Sequence, residues 1–121
     1  MMWRSYLRYI MRRKNAFHLH SPFVYTLYTK VIRGGDDDAM CELGIRNRVE
    51  VPVGQLLDHY LSDHAEDTVF VARDLHDNQN NEAAWDTICR HPDVTLTIDL
   101  FREGWVFYRE GMEKQDFVLR R

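Results

Sequence analysis

The chain has 121 residues, of which 45% are hydrophobic and 29% are charged, as in an ordinary globular protein. This length fits one domain that can bury one core. No apolar run approaches the ~20 residues that a membrane-spanning helix requires, so we expect no membrane contact.

The two cysteines, Cys41 and Cys89, lie far apart in the sequence and follow no metal or redox spacing. Two unpatterned thiols favour a reducing compartment. The N-terminus is basic but lacks the continuous apolar region and the small-residue cleavage site of a signal peptide. We therefore expect a cytoplasmic protein.

The net charge of −3 conceals an uneven distribution, because residues 1–33 contain basic residues and no acidic ones. A basic segment attached to an acidic body favours docking of that segment on its own chain or on a second copy. In the alternative, the stripe formed by Arg4, Arg8 and Arg12 contacts the phosphates of a nucleic acid.

Two helices are predicted in residues 1–35, which we assign to an N-terminal helical arm. Apolar residues at i, i+4, i+7 and i+8 from Trp3 predict an amphipathic helix over residues 2–14. The pair Ser21-Pro22 is typical of an N-cap followed by the first helical residue. It predicts a second helix that ends at Gly34-Gly35.

The polar stretch at residues 36–47 begins with three aspartates and is predicted to be a loop. Residues 48–121 then form an α/β domain. Strands are predicted at residues 48–53 and 68–72, helices at residues 54–64 and 82–90, and a short final strand at Phe117-Val118-Leu119.

The stretch from Val94 to Glu110 carries the strongest β signal of the chain. It predicts two strands joined by a tight turn at Arg102-Glu103-Gly104, so these two strands must be antiparallel neighbours. The preceding alternation of strands and helices predicts parallel βαβ units. The fold class is therefore α/β with a mixed sheet.

Two parts of the chain resemble the class I S-adenosylmethionine-dependent methyltransferases, in particular small bacterial O-methyltransferase-like proteins. HSPFVYTLYTKVI resembles the helix that precedes the sheet in that group. The segments TVFVARDLHD, AAWDTICRHPDVTLTIDLF, GWVFYRE and KQDFVLRR resemble the C-terminal part of the same proteins. The resemblance implies a Rossmann-like sheet of about four strands in which GWVFY lies between TVFVA and TLTIDLF.

The sequence also departs from this family. It lacks the Gly-rich turn and the following acid that hold the cofactor in the first half of the family's sheet. The chain thus resembles a shortened form without the cofactor-binding half, and we expect no cofactor. A weak candidate site is the loop residues Asp74, His76 and Asp77, which could bind a divalent metal or simply cap the following helix.

We therefore predict a degenerate, non-catalytic methyltransferase-like protein that acts in self-association or in binding a partner protein. Loss of half a sheet exposes a strand edge, here that of RVEVPV. Pro52 and the charges of Arg48 and Glu50 could blunt this edge, the two N-terminal helices could pack on the exposed face, or a second copy could cover it. The apolar and aromatic content of the N-terminal helices favours burial, so we expect a homodimer. Two alternatives remain open: a methyltransferase whose S-adenosylmethionine pocket is completed across a dimer, and nucleic-acid binding through the basic first helix.

Overall fold

The computed structural model describes residues 22–60, 66–109, 111 and 113–119. The described strands are β1 (Asn47–Pro52), β2 (Thr68–Arg73), β3 (Leu96–Asp99), β4 (Glu103–Phe107) and β5 (Gln115–Val118). The described helices are α1 (Pro22–Thr26, continued with π-helical hydrogen bonding over Leu27–Ile32), α2 (Asp37–Glu42), α3 (Val53–Gln55, continued likewise over Leu56–Tyr60) and α4 (Gln79–Arg90). The predicted helix over residues 2–14 and the predicted cap at Ser21 lie outside the described ranges.

The described strands form one mixed sheet in the order β1-β2-β4-β3-β5. Strands β1 and β2 are parallel, β4 is antiparallel to both of its neighbours, and β5 is parallel to β3. The predicted placement of GWVFY between TVFVA and TLTIDLF is therefore confirmed. The count of about four strands is wrong, because the described sheet has five. The fifth strand, β5, lies at the edge beyond β3 and overlaps the short final strand predicted at Phe117-Val118-Leu119.

Helices cover both faces of this sheet. Alternate residues of β2 point to opposite faces, so Val69 and Val71 join one apolar cluster while Phe70 and Ala72 join the other. The first cluster includes residues of α1 and α2, and the second includes residues of α3 and α4. Burial on both faces explains why residues 69–72 of β2 are continuously apolar instead of alternating.

The predicted loop at residues 36–47 contains helix α2, so that prediction is wrong. The Asp36 side chain accepts a hydrogen bond from the Ala39 backbone N–H at 3.1 Å and so caps the helix. Two more aspartates in the first turn are favourable near the positive end of the helix dipole. The acidic run that suggested a loop is thus a helix start, and Gly35, with φ +65°, ends the preceding helix as predicted.

The turn of the β3–β4 hairpin also differs from the prediction. It is centred on Phe101 and Arg102, because the Leu100 N–H donates to the Glu103 carbonyl at 2.9 Å. Gly104 lies within β4 and is buried. A Cβ at this position would lie 2.7 Å from Trp85 Cζ3 and 2.8 Å from Leu75 Cδ1, so this glycine is required for packing.

The helix after β2 is capped by Asn78, and not by Asp74, His76 or Asp77; the Asn78 side chain accepts from the Asn81 N–H at 2.9 Å. The helix therefore begins at Gln79, three residues earlier than predicted. Of the helices in the described ranges, none is both long enough and apolar enough to cross a membrane.

Candidate functional site

Two strand ends meet at one edge of the sheet. Strands β2 and β3 are both antiparallel to β4 and therefore run in the same direction, so their carboxyl ends lie at the same edge. The loop that follows β2 carries His76, and β3 ends with Asp99. Ligand sites of open α/β sheets lie at this edge, which makes these side chains the first to consider.

His76 is held between two carboxylates. Its Nδ1 lies 3.0 Å from Glu82 Oε2, and its Nε2 lies 2.9 Å from Asp99 Oδ2. The side chains are only 12%, 20% and 10% exposed for His76, Glu82 and Asp99. We call these three residues the His76 clamp. It connects the loop after β2 with helix α4 and with the end of β3.

The two carboxylates of the clamp favour the protonated, charged form of the imidazole. Burial alone lowers the pKa of His76, but the hydrogen bonds and negative charges of Asp99 and Glu82 outweigh burial and raise it above the ordinary 6.5. In the doubly protonated form that the raised pKa favours, the ring donates one hydrogen bond to each carboxylate. A doubly protonated ring has no lone pair left for a metal ion or for a substrate proton.

The backbone beside the clamp is strained at two positions. Phe101 has φ +74° and Asp74 has φ +64°, values that are uncommon for residues other than glycine. The Phe101 N–H donates to Asp99 Oδ1 at 2.7 Å, and the Asp74 N–H donates to the Arg102 carbonyl at 3.0 Å. The Phe101 ring stacks on His76 with ring centroids 5.0 Å apart. These contacts hold both unusual conformations in place.

Of the three candidate loop residues, only His76 belongs to the His76 clamp. The partners of His76 are Glu82 and Asp99, whereas Asp74 and Asp77 are exposed loop residues. The Asp74 carbonyl accepts from Asn81 Nδ2 at 2.8 Å, which ties the loop to α4. Within the described ranges, no group of three His, Cys, Asp or Glu side chains is arranged to hold a metal ion.

A second candidate surface is the outer edge of β1, which lies at one end of the described sheet. Arg48 and Glu50 form an ion pair at 3.5 Å, with side chains 38% and 50% exposed. The Arg48 guanidinium also lies 5.0 Å from the centre of the Trp105 ring. On the opposite face of the strand, Val49 packs against the second apolar cluster.

The remaining candidate residues belong to neither of these two surfaces. Arg4, Arg8 and Arg12 lie outside the described residues, so nucleic-acid binding through them stays a prediction. Gly44, which has φ +81°, lies just beyond helix α2, whose last residue is Glu42. It does not follow a strand, as a cofactor-binding turn would.

These features define a mixed α/β domain with helices on both faces of the sheet, an ionic cluster centred on His76 at one edge and an edge strand of paired charges. No protein-family model matches the chain, and no curated protein or solved structure shows significant similarity to it.

Proposed function

We propose that this chain is a methyltransferase-like domain that does not catalyse methyl transfer and that acts by self-association. The observation that carries the proposal is the outer edge of β1, which no other described strand pairs. In the family that the sequence resembles, the half-sheet that this chain lacks would adjoin this strand. An edge strand of six residues presents backbone donors and acceptors to another chain.

The charged cluster supports the non-catalytic part of the proposal. In the His76 clamp, both ring nitrogens are engaged by carboxylates of the same chain. A general base needs a free lone pair near a substrate, and this ring is instead used to join a loop, a helix and a strand. In this proposal His76, one of the three loop residues singled out in the sequence, has a structural role.

The connections between strands and helices also support the non-catalytic part of the proposal. Strand β1 runs directly from Pro52 into the helix that begins at Val53, and the loop at residues 74–78 contains no glycine. Backbone approach to a nucleotide-like cofactor is normally made by a glycine-rich turn at such a connection.

Association through an apolar face has less support. Tyr25, at 49% exposure, is the one large hydrophobic side chain that is exposed in the described ranges. Both faces of the sheet are already covered by the chain's own helices. A strand edge is therefore the surface that we expect a second copy to occupy.

Two measurements test the proposal on the full chain. Sedimentation equilibrium should give twice the 14.5 kDa mass of one chain as the concentration rises, and a monomer at every concentration up to the millimolar range would refute self-association. Calorimetry with S-adenosylmethionine should show no binding. Micromolar binding would refute the non-catalytic part and favour a pocket completed across a dimer.

A further inference from the structure

The direction of the backbone groups along β1 can be read from its pairing with β2. The Asn47 N–H donates to the Asp67 carbonyl, and Asn47 pairs with Thr68. Backbone groups alternate in direction along a strand, so those of Asn47, Val49 and Val51 face β2. The N–H and C=O groups of Arg48 and Glu50 therefore point away from the sheet.

We propose that two copies of the chain pair β1 with β1 in antiparallel orientation about a twofold axis at Val49. This inference rests on the self-association proposed above and specifies its geometry. Arg48 of each copy then lies opposite Glu50 of the other, and each such pair exchanges two backbone hydrogen bonds. At the axis, Val49 of one copy lies opposite Val49 of the other, and the sheets of the two copies form one continuous sheet.

The order of charges favours this register over its neighbours. The outward-facing backbone groups of one β1 strand must bond to those of the other. The register can therefore change only in steps of two residues, which keep Arg48 and Glu50 in hydrogen-bonded positions. A shift in one direction places Arg48 opposite Arg48, and a shift in the other places Glu50 opposite Glu50. Like charges directly opposite each other are destabilising, whereas unlike charges stabilise a cross-strand pair.

The same pattern argues for a second copy as the occupant. A twofold axis presents the same surface on both sides, so a patch must be complementary to itself. One cation and one anion placed symmetrically about Val49 meet that requirement. Pro52, which has no N–H, limits further pairing toward the end of the strand.

Charge reversal with sedimentation equilibrium tests the register. Arg48→Glu alone and Glu50→Arg alone each place like charges opposite each other, so each should weaken the dimer by about tenfold or more, or ~1.4 kcal/mol. The double variant Arg48→Glu/Glu50→Arg should dimerise again, and so should an equal mixture of the two single variants. Dimers of undiminished affinity in both single variants would refute the register.

A disulfide provides an independent test. Opposite residues of a non-hydrogen-bonded antiparallel pair have Cα atoms about 4.5 Å apart, within the range that a disulfide spans. In a Cys41→Ser background, Val49→Cys should form a covalent dimer under mild oxidation. Val118→Cys, on the outer strand β5, is the matched control and should remain monomeric in denaturing gel electrophoresis.

Proline substitution tests the backbone contact itself. The Glu50 N–H faces away from β2, so Glu50→Pro should leave the monomer folded and abolish the dimer, whereas Val118→Pro should leave the dimer intact. A dimeric parent whose Val49→Cys variant does not cross-link, and whose dimer survives the charge reversals, would refute this geometry but not self-association. A parent that is monomeric throughout would refute both.

Discussion

The His76 clamp gives the sharpest test of how this edge of the sheet is stabilised. Replacing His76 by Gln removes an imidazolium that bonds to Glu82 at 3.0 Å and to Asp99 at 2.9 Å. A hydrogen bond to a charged group contributes about 1.5–3 kcal/mol, and Gln retains part of one bond. Partial exposure of Glu82 lowers the effect further, so we expect a loss of about 2–3 kcal/mol at pH 6.

The loss should depend on pH in a defined direction. The pKa of His76 is raised in the folded state, because Asp99 and Glu82 outweigh the opposing effect of burial. The contribution is therefore fully present below the unfolded value of 6.5 and is lost as pH rises through the folded pKa. The difference between parent and variant should be larger at pH 6 than at pH 9.

Urea denaturation at both pH values measures this difference. At pH 6 the melting temperature of the variant should also fall by about 10 °C for a chain of this size. His59→Gln, at an exposed position of α3, is the control and should change the free energy of unfolding by less than about 0.5 kcal/mol. The same loss at pH 6 and pH 9, or an NMR titration midpoint of His76 below 6.5, would refute the reasoning.

Two further predictions concern the core and the thiols. Gly104→Ala should cost about 2 kcal/mol in denaturant unfolding, because its Cβ would collide with Trp85, and unchanged stability would show that Trp85 can move aside. Burial raises the pKa of the Cys89 thiol to about 12, so at pH 8 a disulfide reagent should label the exposed Cys41 alone in the folded chain and both thiols in urea. Two equivalents reacting at one rate would contradict the burial of Cys89.

Much of the sheet could be predicted from local pattern. The apolar run in β2 and the dense β signal of the hairpin gave strands close to the observed ones. The order of the first four strands came from the resemblance and was confirmed by the pairing of β4 with both β2 and β3. The turn was misplaced because Gly104 looked like a turn residue, whereas a positive φ at the bulky Phe101 has no sequence signal.

The His76 clamp could be predicted only in part. His76 drew attention in the sequence, but its partners Glu82 and Asp99 lie 6 and 23 positions away and meet it only when the sheet forms. An acid within the apolar run LTIDLF was the available signal, because a carboxylate that ends a buried strand must find a donor. Helix α2 was missed because Asp36 is equally suited to a loop and to a cap.

The position of β4 has a consequence for synthesis on the ribosome. Strand β2 is buried along almost its whole length, and one of its two sheet neighbours is β4, which is made some thirty residues later. In a nascent chain that has emerged only as far as Asp99, β2 therefore lacks its β4 neighbour. The backbone groups on that edge of β2 are then unpaired, next to its apolar side chains. Such an edge is prone to aggregate or to engage a chaperone, so β2 stays exposed to both risks until β4 has emerged through Phe107.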